Sequence, residues 1–344
     1  YSYGNTGVLV DVMGVIDTTD TSVTPLDPAR LVDTRVGGAT SDRNYQGAGR
    51  FAAGETRTAA PPNVVVFLVD DLGYMDIGAN NPDCFYQTPH IDALSRSGMR
   101  FTNGYAANPV CSPTRFSLMT GRYPTRVGAT NFFSGNRKGK FLGAELNNRM
   151  PLDEVTLADS LKSGGYATFF AGKWHLGPTH ELTPLRRGFD EFYGIHHGGH
   201  SFLPTSKQRT KGPLMRGDQE ITEERYLTTA LGREAVNFVD RHHRAPFFLC
   251  LSFTAVHKPL EATEADLKRF PEMKPGKRKT HAAMTVSMDD AVGKVLASLQ
   301  AHDLEKNTLI IFISDNGGFR AIASRNTPLC GRSEEHTSEL QSLT

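Results

Sequence analysis

Cysteine is scarce in this 344-residue chain, long apolar runs are absent, and neither sign of charge dominates. Four cysteines are too few for a disulfide scaffold, so the fold must depend on a hydrophobic core. The longest purely apolar runs, Val64–Val69 and Leu309–Ile313, fall far short of the ~20 residues that span a bilayer, so no transmembrane segment is predicted. Lys and Arg number 38 against 37 Asp and Glu. No basic tract with interleaved aromatics occurs, so nucleic acid is not a predicted partner.

The first 60 residues differ in composition from the rest. They contain one apolar β-type run, Gly7–Ile16, followed by turns rich in Thr and Asp, and no helical periodicity precedes Pro61. The stretch Thr24–Arg35 resembles a motif of β-rich modules in bacterial surface proteins, although an irregular extension or linker explains it equally well. We therefore expect a β-type or irregular segment at 1–60. The abrupt change near Ala59–Pro62 is also what a chimeric join would produce.

Residues 61–331 have the rhythm of a single α/β domain. Apolar runs of strand length alternate with amphipathic helical patterns, which predicts a mostly parallel central sheet with helices on both faces. The final segment, 332–344, is different, because Arg332–Ser342 matches the conceptual translation of a sequencing-library adapter. We expect this tail to carry no function and the natural reading frame to be lost near Leu329–Gly331.

Polar side chains follow four of the apolar runs, at the point where each predicted strand ends. In open parallel sheets, ligands gather beyond the carboxyl ends of the strands. The four predicted strands are Asn63–Val69, Tyr166–Ala171, Phe247–Thr254 and Thr308–Ser314. The polar residues that follow them are Asp70, Asp71, Lys173, His175, His257, Asp315 and Asn316. The sequence therefore predicts that three carboxylates, one amide, one lysine and two histidines meet at one edge of the sheet.

Asp70, Asp71, Asp315 and Asn316 form a set of hard oxygen donors. Such oxygens suit Ca²⁺ or Mg²⁺ and do not suit a zinc site built from Cys and His. Without a cation, converging carboxylates would repel one another and their pKa values would rise. Asp70 and Asp71 alone would be more typical of a solvated turn, but a second polar pair after another apolar strand favours a metal site.

The segment Cys111–Gly121 predicts a short helix with a cysteine at its start. Pro113 suits the first turn of a helix, and Gly121 suits its end. The exposed N–H groups and the dipole at such a start favour an anion at Cys111. Arg115 lies four residues on and on the same face, so its guanidinium can reach back to the Cys111 side chain. A buried structural cysteine is the alternative, which the Cys-x-Pro-x-Arg spacing disfavours.

Segment 109–121 resembles the signature of the formylglycine-dependent sulfatases, a family of the alkaline-phosphatase superfamily. The stretch Gly165–His175 is similar to the second signature of that family. Four further segments agree with the family in type and order: Asn63–Asp71, Arg187–Gly194, His257–Pro259 and Ser314–Gly318. The resemblance covers roughly residues 61–330 and implies an alkaline-phosphatase-like α/β fold.

The resemblance implies a modified nucleophile and a bound cation. Cys111 would be oxidised by a formylglycine-generating maturation enzyme, and the hydrated formylglycine would attack the sulfur of a sulfate-ester substrate. Calcium is the family's usual ion, with Mg²⁺ as the second choice. The implied metal ligands are Asp70, Asp71, Asp315 and Asn316, together with the modified Cys111.

The resemblance also assigns the remaining side chains of the site. Arg115 would orient the formylglycine hydroxyl, and His175 would act as base in the step that releases sulfate. Lys173 and His257 would bind sulfate oxygens, and one of the two would protonate the leaving oxygen. Each residue alone has an ordinary explanation as a surface cation, a packed core histidine or the end of a strand. The assignment therefore depends on the order of the signatures.

The sequence departs from the family near its C-terminus. Family members carry another lysine in a Gly-Gly-Lys segment shortly after the position of Pro328-Leu329, where this chain has Cys330-Gly331. The smaller C-terminal subdomain that usually follows is also missing. We therefore expect the loss of one sulfate contact, an exposed apolar face and an inactive chain.

The predicted function is hydrolysis of sulfate monoesters, in the manner of an arylsulfatase, with a sulfated carbohydrate as the natural substrate. Two alternatives stay open: a phosphonate or phosphate monoester hydrolase of the same superfamily, and a non-catalytic surface-binding chain suggested by segment 1–60. By family analogy we expect a periplasmic or secreted protein, although the chain shows no signal peptide.

Overall fold

The computed structural model of the protein describes residues 61–133, 145–206 and 212–329. The predictions for segment 1–60 and for the tail 332–344 lie outside these residues. The strands are β1 (Asn63–Val69), β2 (Ala167–Lys173), β3 (Glu191–Ile195), β4 (Leu214–Arg216), β5 (Gln219–Ile221), β6 (Phe247–Ser252) and β7 (Thr308–Ser314). The helices are α1 (Pro89–Ser97), α2 (Cys111–Thr120), α3 (Leu157–Ser163), α4 (Leu227–His242), α5 (Glu264–Lys268) and α6 (Lys277–Ala301).

The seven strands belong to one sheet in the order β5-β4-β3-β2-β6-β1-β7. The five strands from β3 to β7 in this order pair in parallel, whereas β4 and β5 pair antiparallel. Parallel neighbours need long crossover connections, which explains why helices separate the central strands along the chain. The predicted α/β fold with a mostly parallel sheet is confirmed.

The predicted strands agree with the observed ones except at three ends. β1 and β7 have the predicted bounds, and β6 ends two residues earlier than predicted, at Ser252. β2 begins one residue later than predicted and continues to Lys173. It continues because the ladder with β3 pairs Lys173 with Ile195. Lys173 is therefore the last residue of a strand and not part of the loop that follows.

Helices cover both faces of the sheet, as predicted. Alternate residues of β1 point to opposite faces, and all seven are buried. On one face Val65 and Phe67 join a core that contains Leu231 of α4 and Met288 of α6. The opposite core contains Val64, Val66 and Leu68 of β1 together with residues of α2 and α3. A strand buried on both faces needs apolar residues throughout, which explains the unbroken run in the sequence.

Asp289 fastens helix α1 to helix α6. Its carboxylate accepts hydrogen bonds from the backbone N–H groups of His90 and Ile91 at 3.1 and 2.9 Å. These N–H groups belong to the first turn of α1, which has no partner for them within the helix.

Among the described residues, no helix combines the length and apolar composition needed to cross a membrane.

His281 of α6 is a buried histidine that should make stability depend on pH. It has no exposed surface, and neither ring nitrogen has a hydrogen-bond partner among the described residues. Burial lowers the pKa of this imidazole to about 3, whereas an unfolded histidine titrates near about 6.5. The unfolded chain therefore takes up the proton first. The contribution of His281 to stability is fully present above about pH 6.5 and is lost as the pH falls towards the folded pKa.

His281→Phe should flatten this pH dependence while keeping the edge-on contact with Tyr86, whose ring centre is 5.5 Å away. Between about pH 6.5 and about pH 5, we expect the slope of the unfolding free energy to differ by up to about 1.4 kcal/mol per pH unit from that of the wild type. Urea denaturation at a series of pH values measures both slopes. Equal slopes would instead indicate an ion pair with Asp76, whose Oδ2 lies 3.9 Å from Nε2.

Candidate active site

The four strand ends singled out in the sequence lie side by side. Strands β2, β6, β1 and β7 are consecutive neighbours in the sheet. The register pairs Val69 of β1 with Ser314 of β7, and the N–H of Asp315 donates to the carbonyl of Val69 at 2.9 Å. Asp70 and Asp315 therefore begin their loops at the same level of the sheet, although they are far apart in the chain.

The three carboxylates form a buried acidic cluster. Asp70, Asp71 and Asp315 each offer an oxygen, and these oxygens lie within 4.8 Å of one another. None of the three residues is more than 1% exposed. Asn316 joins them, since its Nδ2 donates to Asp71 Oδ1 at 2.6 Å. The structure thus brings together the four side chains that the sequence predicts as oxygen donors.

Three buried oxygens of this set have no hydrogen-bond partner among the described residues: Asp70 Oδ1, Asp71 Oδ2 and Asn316 Oδ1. Buried acceptors without donors are costly, and a hard cation would satisfy them. Asp315 differs, because it accepts from the N–H of Asp71 at 3.3 Å and from Arg115. Burial raises the pKa of Asp315 to about 6 against the opposing effect of Arg115. The donor set therefore fits Ca²⁺ or Mg²⁺.

The buried guanidinium of Arg115 contacts all four strand ends. Nε donates to Asp315 Oδ2 at 2.9 Å, and Nη2 lies 2.8 Å from the same oxygen. Nη1 donates to Ser252 Oγ at 2.6 Å and to the carbonyl oxygen of Lys173 at 2.7 Å. Nη2 also lies 3.7 Å from Asp70 Oδ1. The hydrogen bonds of Arg115 thus go to the sheet edge.

Lys173 is fully buried at the end of β2. Its Nζ donates to Asp70 Oδ2 at 2.7 Å. Burial lowers the pKa of this ammonium group, but the Asp70 carboxylate outweighs that effect, and the pKa of Lys173 is raised. Lys173 therefore holds a positive charge against the acidic cluster. Its contact with sulfate stays a prediction.

Cys111 begins helix α2 at the predicted position, and the helix ends at Gly121 in the left-handed conformation, with φ 68°. The cysteine is partly buried. Its thiol interacts electrostatically with Lys173 and Asp70, and burial raises its pKa to about 12. The sulfur therefore lies within electrostatic range of the charged groups of the site. It is not among the atoms grouped within 4.8 Å of one another in the acidic cluster.

The two predicted histidines lie beside one loop that contains Gly198 and Gly199. A methyl group on Gly198 would lie 2.7 Å from Cε1 of His175. A methyl group on Gly199 would lie 3.6 Å from Cε1 of His257. The N–H of His175 also donates to the carbonyl of His196 at 3.1 Å. The structure thus brings His175 and His257 beside the same loop.

The hydrogen bond of His257 determines which ring nitrogen faces the acidic cluster. Nδ1 lies 2.6 Å from the carbonyl oxygen of Lys258. Because a carbonyl can only accept, Nδ1 carries a proton and donates it. Nε2 lies 3.8 Å from Asp71 Oδ2. Nε2 is therefore the nitrogen of His257 that is directed towards the acidic cluster.

Two site residues have a strained backbone. Asp71 and His175 lie in the left-handed region, with φ of 61° and 58°. For non-glycine residues this conformation costs of order 1–3 kcal/mol, and such strain concentrates at functional sites. The neighbouring hydrogen bonds of the sheet edge must supply the energy that holds both side chains in place.

Ser252 and Gly198 are parts of the site that the sequence analysis missed. Ser252 anchors Arg115 and also donates to the carbonyl of Lys173 at 2.7 Å. Its signal was a single hydroxyl at the end of an apolar run. Gly198 had a weaker signal, the Gly-Gly pair in a loop rich in histidine.

Comparison with known proteins agrees with this fold. The neighbours among solved structures are α/β proteins of the alkaline-phosphatase-like class. A sequence model of the Sulfatase family matches residues 62–337. The chain therefore belongs to the Sulfatase family. It is 34% identical over 308 residues to mouse N-acetylgalactosamine-6-sulfatase, covering 83% of this chain and 56% of that protein.

Other relatives show the same partial coverage. Mouse arylsulfatase J is 30% identical over 285 residues, which covers 80% of this chain and 46% of that protein. The structure of Ps i-CgsB in complex with k-i-k-neocarrahexaose has a TM-score of 0.71 and 38% identity, covering 79% of this chain and 62% of that one. The chain thus spans about half the length of the curated relatives it matches.

Ca²⁺ should protect the protein against heat, and Asp71→Asn should remove most of that protection. A ligand at about 100 times its Kd adds about 2.7 kcal/mol to the free energy of unfolding. Asp71→Asn removes the charge behind one of the orphaned oxygens, so we expect the Ca²⁺-induced rise in Tm to fall by at least about half. Differential scanning calorimetry with Ca²⁺ and with EDTA measures the Ca²⁺-induced rise in Tm of each variant. Asp153→Asn, at an exposed aspartate, is the control, and equal rises in Asp71→Asn and wild type would contradict the cation site.

Gly198→Ala should displace the His175 ring, whereas Gly199→Ala should leave the His257 ring in place. The added methyl would meet His175 Cε1 at 2.7 Å, below van der Waals contact, but would meet His257 Cε1 at an ordinary 3.6 Å. NMR of ¹⁵N-labelled imidazoles reports both rings. Large shifts of the His175 signals in Gly198→Ala, with His257 signals preserved in Gly199→Ala, are expected. Unshifted His175 signals in Gly198→Ala would be inconsistent with the described packing.

Proposed function

We propose that the protein hydrolyses sulfate monoesters. The supporting observation is the charge balance at the sheet edge. The carboxylates of Asp70, Asp71 and Asp315 face the two buried cations of Arg115 and Lys173, which leaves one net negative charge. A divalent cation would convert this to one net positive charge, which balances the single charge of a sulfate monoester.

Ca²⁺ is the cation we propose, held by Asp70, Asp71, Asp315 and Asn316, with Mg²⁺ as the second choice. The orphaned buried oxygens of three of these residues support a cation. Ca²⁺ accepts many protein oxygens in variable geometry, whereas Mg²⁺ usually keeps several waters, which a buried set of this kind leaves little room for. Bound there, the cation would polarise a sulfate oxygen as a Lewis acid.

Cys111 is the residue we propose to be converted to formylglycine by a maturation enzyme. The support is the Cys-x-Pro-x-Arg spacing and the position of the thiol among the charged groups. The hydrated aldehyde would supply an oxygen nucleophile that can release its product by reforming the aldehyde. Arg115 and Lys173 hold positive charge beside this position, so they stabilise negative charge on the nucleophile and on the sulfate group.

The two histidines are proposed to move protons. Nδ1 of His257 is engaged with the carbonyl of Lys258, so the proton for the leaving oxygen would come from Nε2 of the doubly protonated imidazolium ring. The pairing of Lys173 with Asp70 makes that lysine the poorer acid. His175, which packs beside Gly198, is proposed to remove the proton in the step that releases sulfate.

A sulfated carbohydrate is the substrate class we propose. The support comes from relatives, since one is named for N-acetylgalactosamine 6-sulfate and another was solved with neocarrahexaose. Both names refer to sugars, and each relative matches more than three quarters of this chain. A periplasmic or secreted location is proposed on the same family analogy.

Hydrolysis of a phosphonate monoester is the second candidate function. Such an ester carries one negative charge, as a sulfate monoester does, so the charge balance fits both esters equally well. The structure of a phosphonate monoester hydrolase from Agrobacterium radiobacter shares the fold at a TM-score of 0.54 and 18% identity. The two candidates therefore have to be separated by assay.

Aryl sulfate should be hydrolysed faster than the matched aryl phosphate and phosphonate monoesters. We expect kcat/KM to differ by at least about 100-fold, equivalent to about 2.7 kcal/mol of transition-state stabilisation. Because the chain spans about half the length of the curated relatives it matches, the assay uses protein extended to the length of those relatives and co-expressed with the maturation enzyme. Cys111→Ala should remove the activity. Faster turnover of phosphate or phosphonate would overturn the proposal.

Mass spectrometry of proteolytic peptides from this chain tests the modification directly. After co-expression with the maturation enzyme, the peptide that contains Cys111 should show the mass of an aldehyde, and Cys250 should stay a thiol because it is fully buried in β6. A residue 111 that stays an unmodified thiol would favour a non-catalytic surface-binding chain.

A further inference from the structure

The two loops that carry the proposed cation ligands are joined by a third segment, 324–326. The first loop follows β1 and contains Asp70 and Asp71, and the second follows β7 and contains Asp315 and Asn316. Segment 324–326 provides none of those ligands. It nevertheless makes hydrogen bonds to both loops, and Asp76 is where most of these bonds meet.

Asp76 has no exposed surface. Its carboxylate accepts a hydrogen bond from the N–H of Gly73 at 3.2 Å. The same carboxylate accepts from the N–H of Arg325 at 3.1 Å and from the Ser324 hydroxyl. In addition, the N–H of Met75 donates to the carbonyl of Arg325 at 2.9 Å. One buried side chain thus fixes the first cation loop to segment 324–326.

Asn326 fixes the second cation loop to the same segment. Its Oδ1 accepts from the N–H of Gly318 at 2.8 Å, and its Nδ2 donates to the carbonyl of Gly318 at 2.7 Å. Both polar groups of one residue are therefore held by a single side chain. Gly318 lies two residues after Asn316, so this contact limits how far that ligand can move.

The two cation loops and segment 324–326 are also packed so closely that they cannot shift past one another. A methyl group on Gly73 would lie 2.4 Å from the carbonyl oxygen of Arg325. A methyl group on Gly318 would lie 2.8 Å from the Cα of Gly73. The two cation loops are thus packed backbone against backbone at this point, with the Ser324 side chain beside them.

We propose that Asp76 is a positioning residue for the cation ligands, and that cation affinity depends on its bonds to segment 324–326. The inference rests on the cation site proposed above. Asp71 and Asp315 are 244 residues apart in the chain, so their relative position is set by contacts between loops. Looser loops would have to be ordered on binding, and this entropy would be subtracted from the affinity.

Asp76→Asn tests the role with little change in shape. The asparagine amide keeps one acceptor oxygen, but its second polar atom is an NH₂ group. That group cannot accept hydrogen bonds from the N–H and O–H donors that surround Asp76. Mutation of a group that orients metal ligands typically weakens metal binding by about 10–100-fold. We therefore expect Asp76→Asn to raise Kd for Ca²⁺ by that factor. Isothermal titration of the full chain with Ca²⁺ alone measures Kd.

Asp289→Asn is the matched control. Asp289 is also a buried aspartate whose carboxylate accepts two backbone N–H groups from a distant segment, but those groups belong to α1 and not to a cation loop. Both variants should lose stability for the same reason, whereas Asp289→Asn should change Kd for Ca²⁺ by less than about twofold. A purely structural role of Asp76 would give equal changes in the two variants.

Ser324→Ala keeps the test decisive if Asp76→Asn folds poorly. It removes one hydroxyl from the network and should raise Kd for Ca²⁺ by about threefold, less than the about 10–100-fold expected for Asp76→Asn. Wild-type Ca²⁺ binding with unchanged Kd in Ser324→Ala and Asp76→Asn would overturn the positioning role alone. Absence of Ca²⁺ binding by the wild type would overturn the cation site and the positioning role together.

Discussion

The geometry of the site depends on the buried guanidinium of Arg115. Its donors point in fixed directions and meet groups at the ends of four neighbouring strands, including Asp315, Ser252 and the carbonyl of Lys173. A lysine has a single charged nitrogen and could not satisfy this set. Without the guanidinium, carboxylates with no contact to water would lose a counter-charge, at a cost of about 3–5 kcal/mol. Arg115 therefore makes the acidic cluster possible, because it offsets the repulsion that such a cluster creates.

Much of this arrangement could be predicted from the sequence because a parallel sheet imposes a simple rule. Apolar runs buried on both faces mark the central strands, and chemistry collects where they end. Asp70, Asp71, Asp315 and Asn316 were identified in this way, and the structure brings them together. The limits of β2 were less predictable, since its pairing with β3 carries the strand through Lys173. Pairing of that kind is a tertiary property that local pattern does not contain.

The supporting contacts could not be predicted for the same reason. Ser252, Asp76 and Asn326 act through partners that are distant in the chain, and nothing in their neighbouring sequence identifies those partners. The tight approach of Gly198 to His175 depends on how a loop folds over the sheet edge. Sequence patterns therefore locate groups that react or bind, whereas the register between loops, which fixes their distances, appears only in three dimensions.

The neighbours of β1 have a consequence for how the protein is made. Asn63 pairs with Thr308 of β7 and Val64 pairs with Phe248 of β6. Both edges of β1 therefore stay unpaired until β6 and β7 have been synthesised. During synthesis on the ribosome, the apolar side chains of β1 have no neighbouring strand to pack with. Contacts between residues so far apart in the sequence also form slowly. The nascent chain therefore passes through a long aggregation-prone stage in which chaperones would act. The acidic cluster can assemble only when the ribosome has completed β7 and the loop that begins at Asp315.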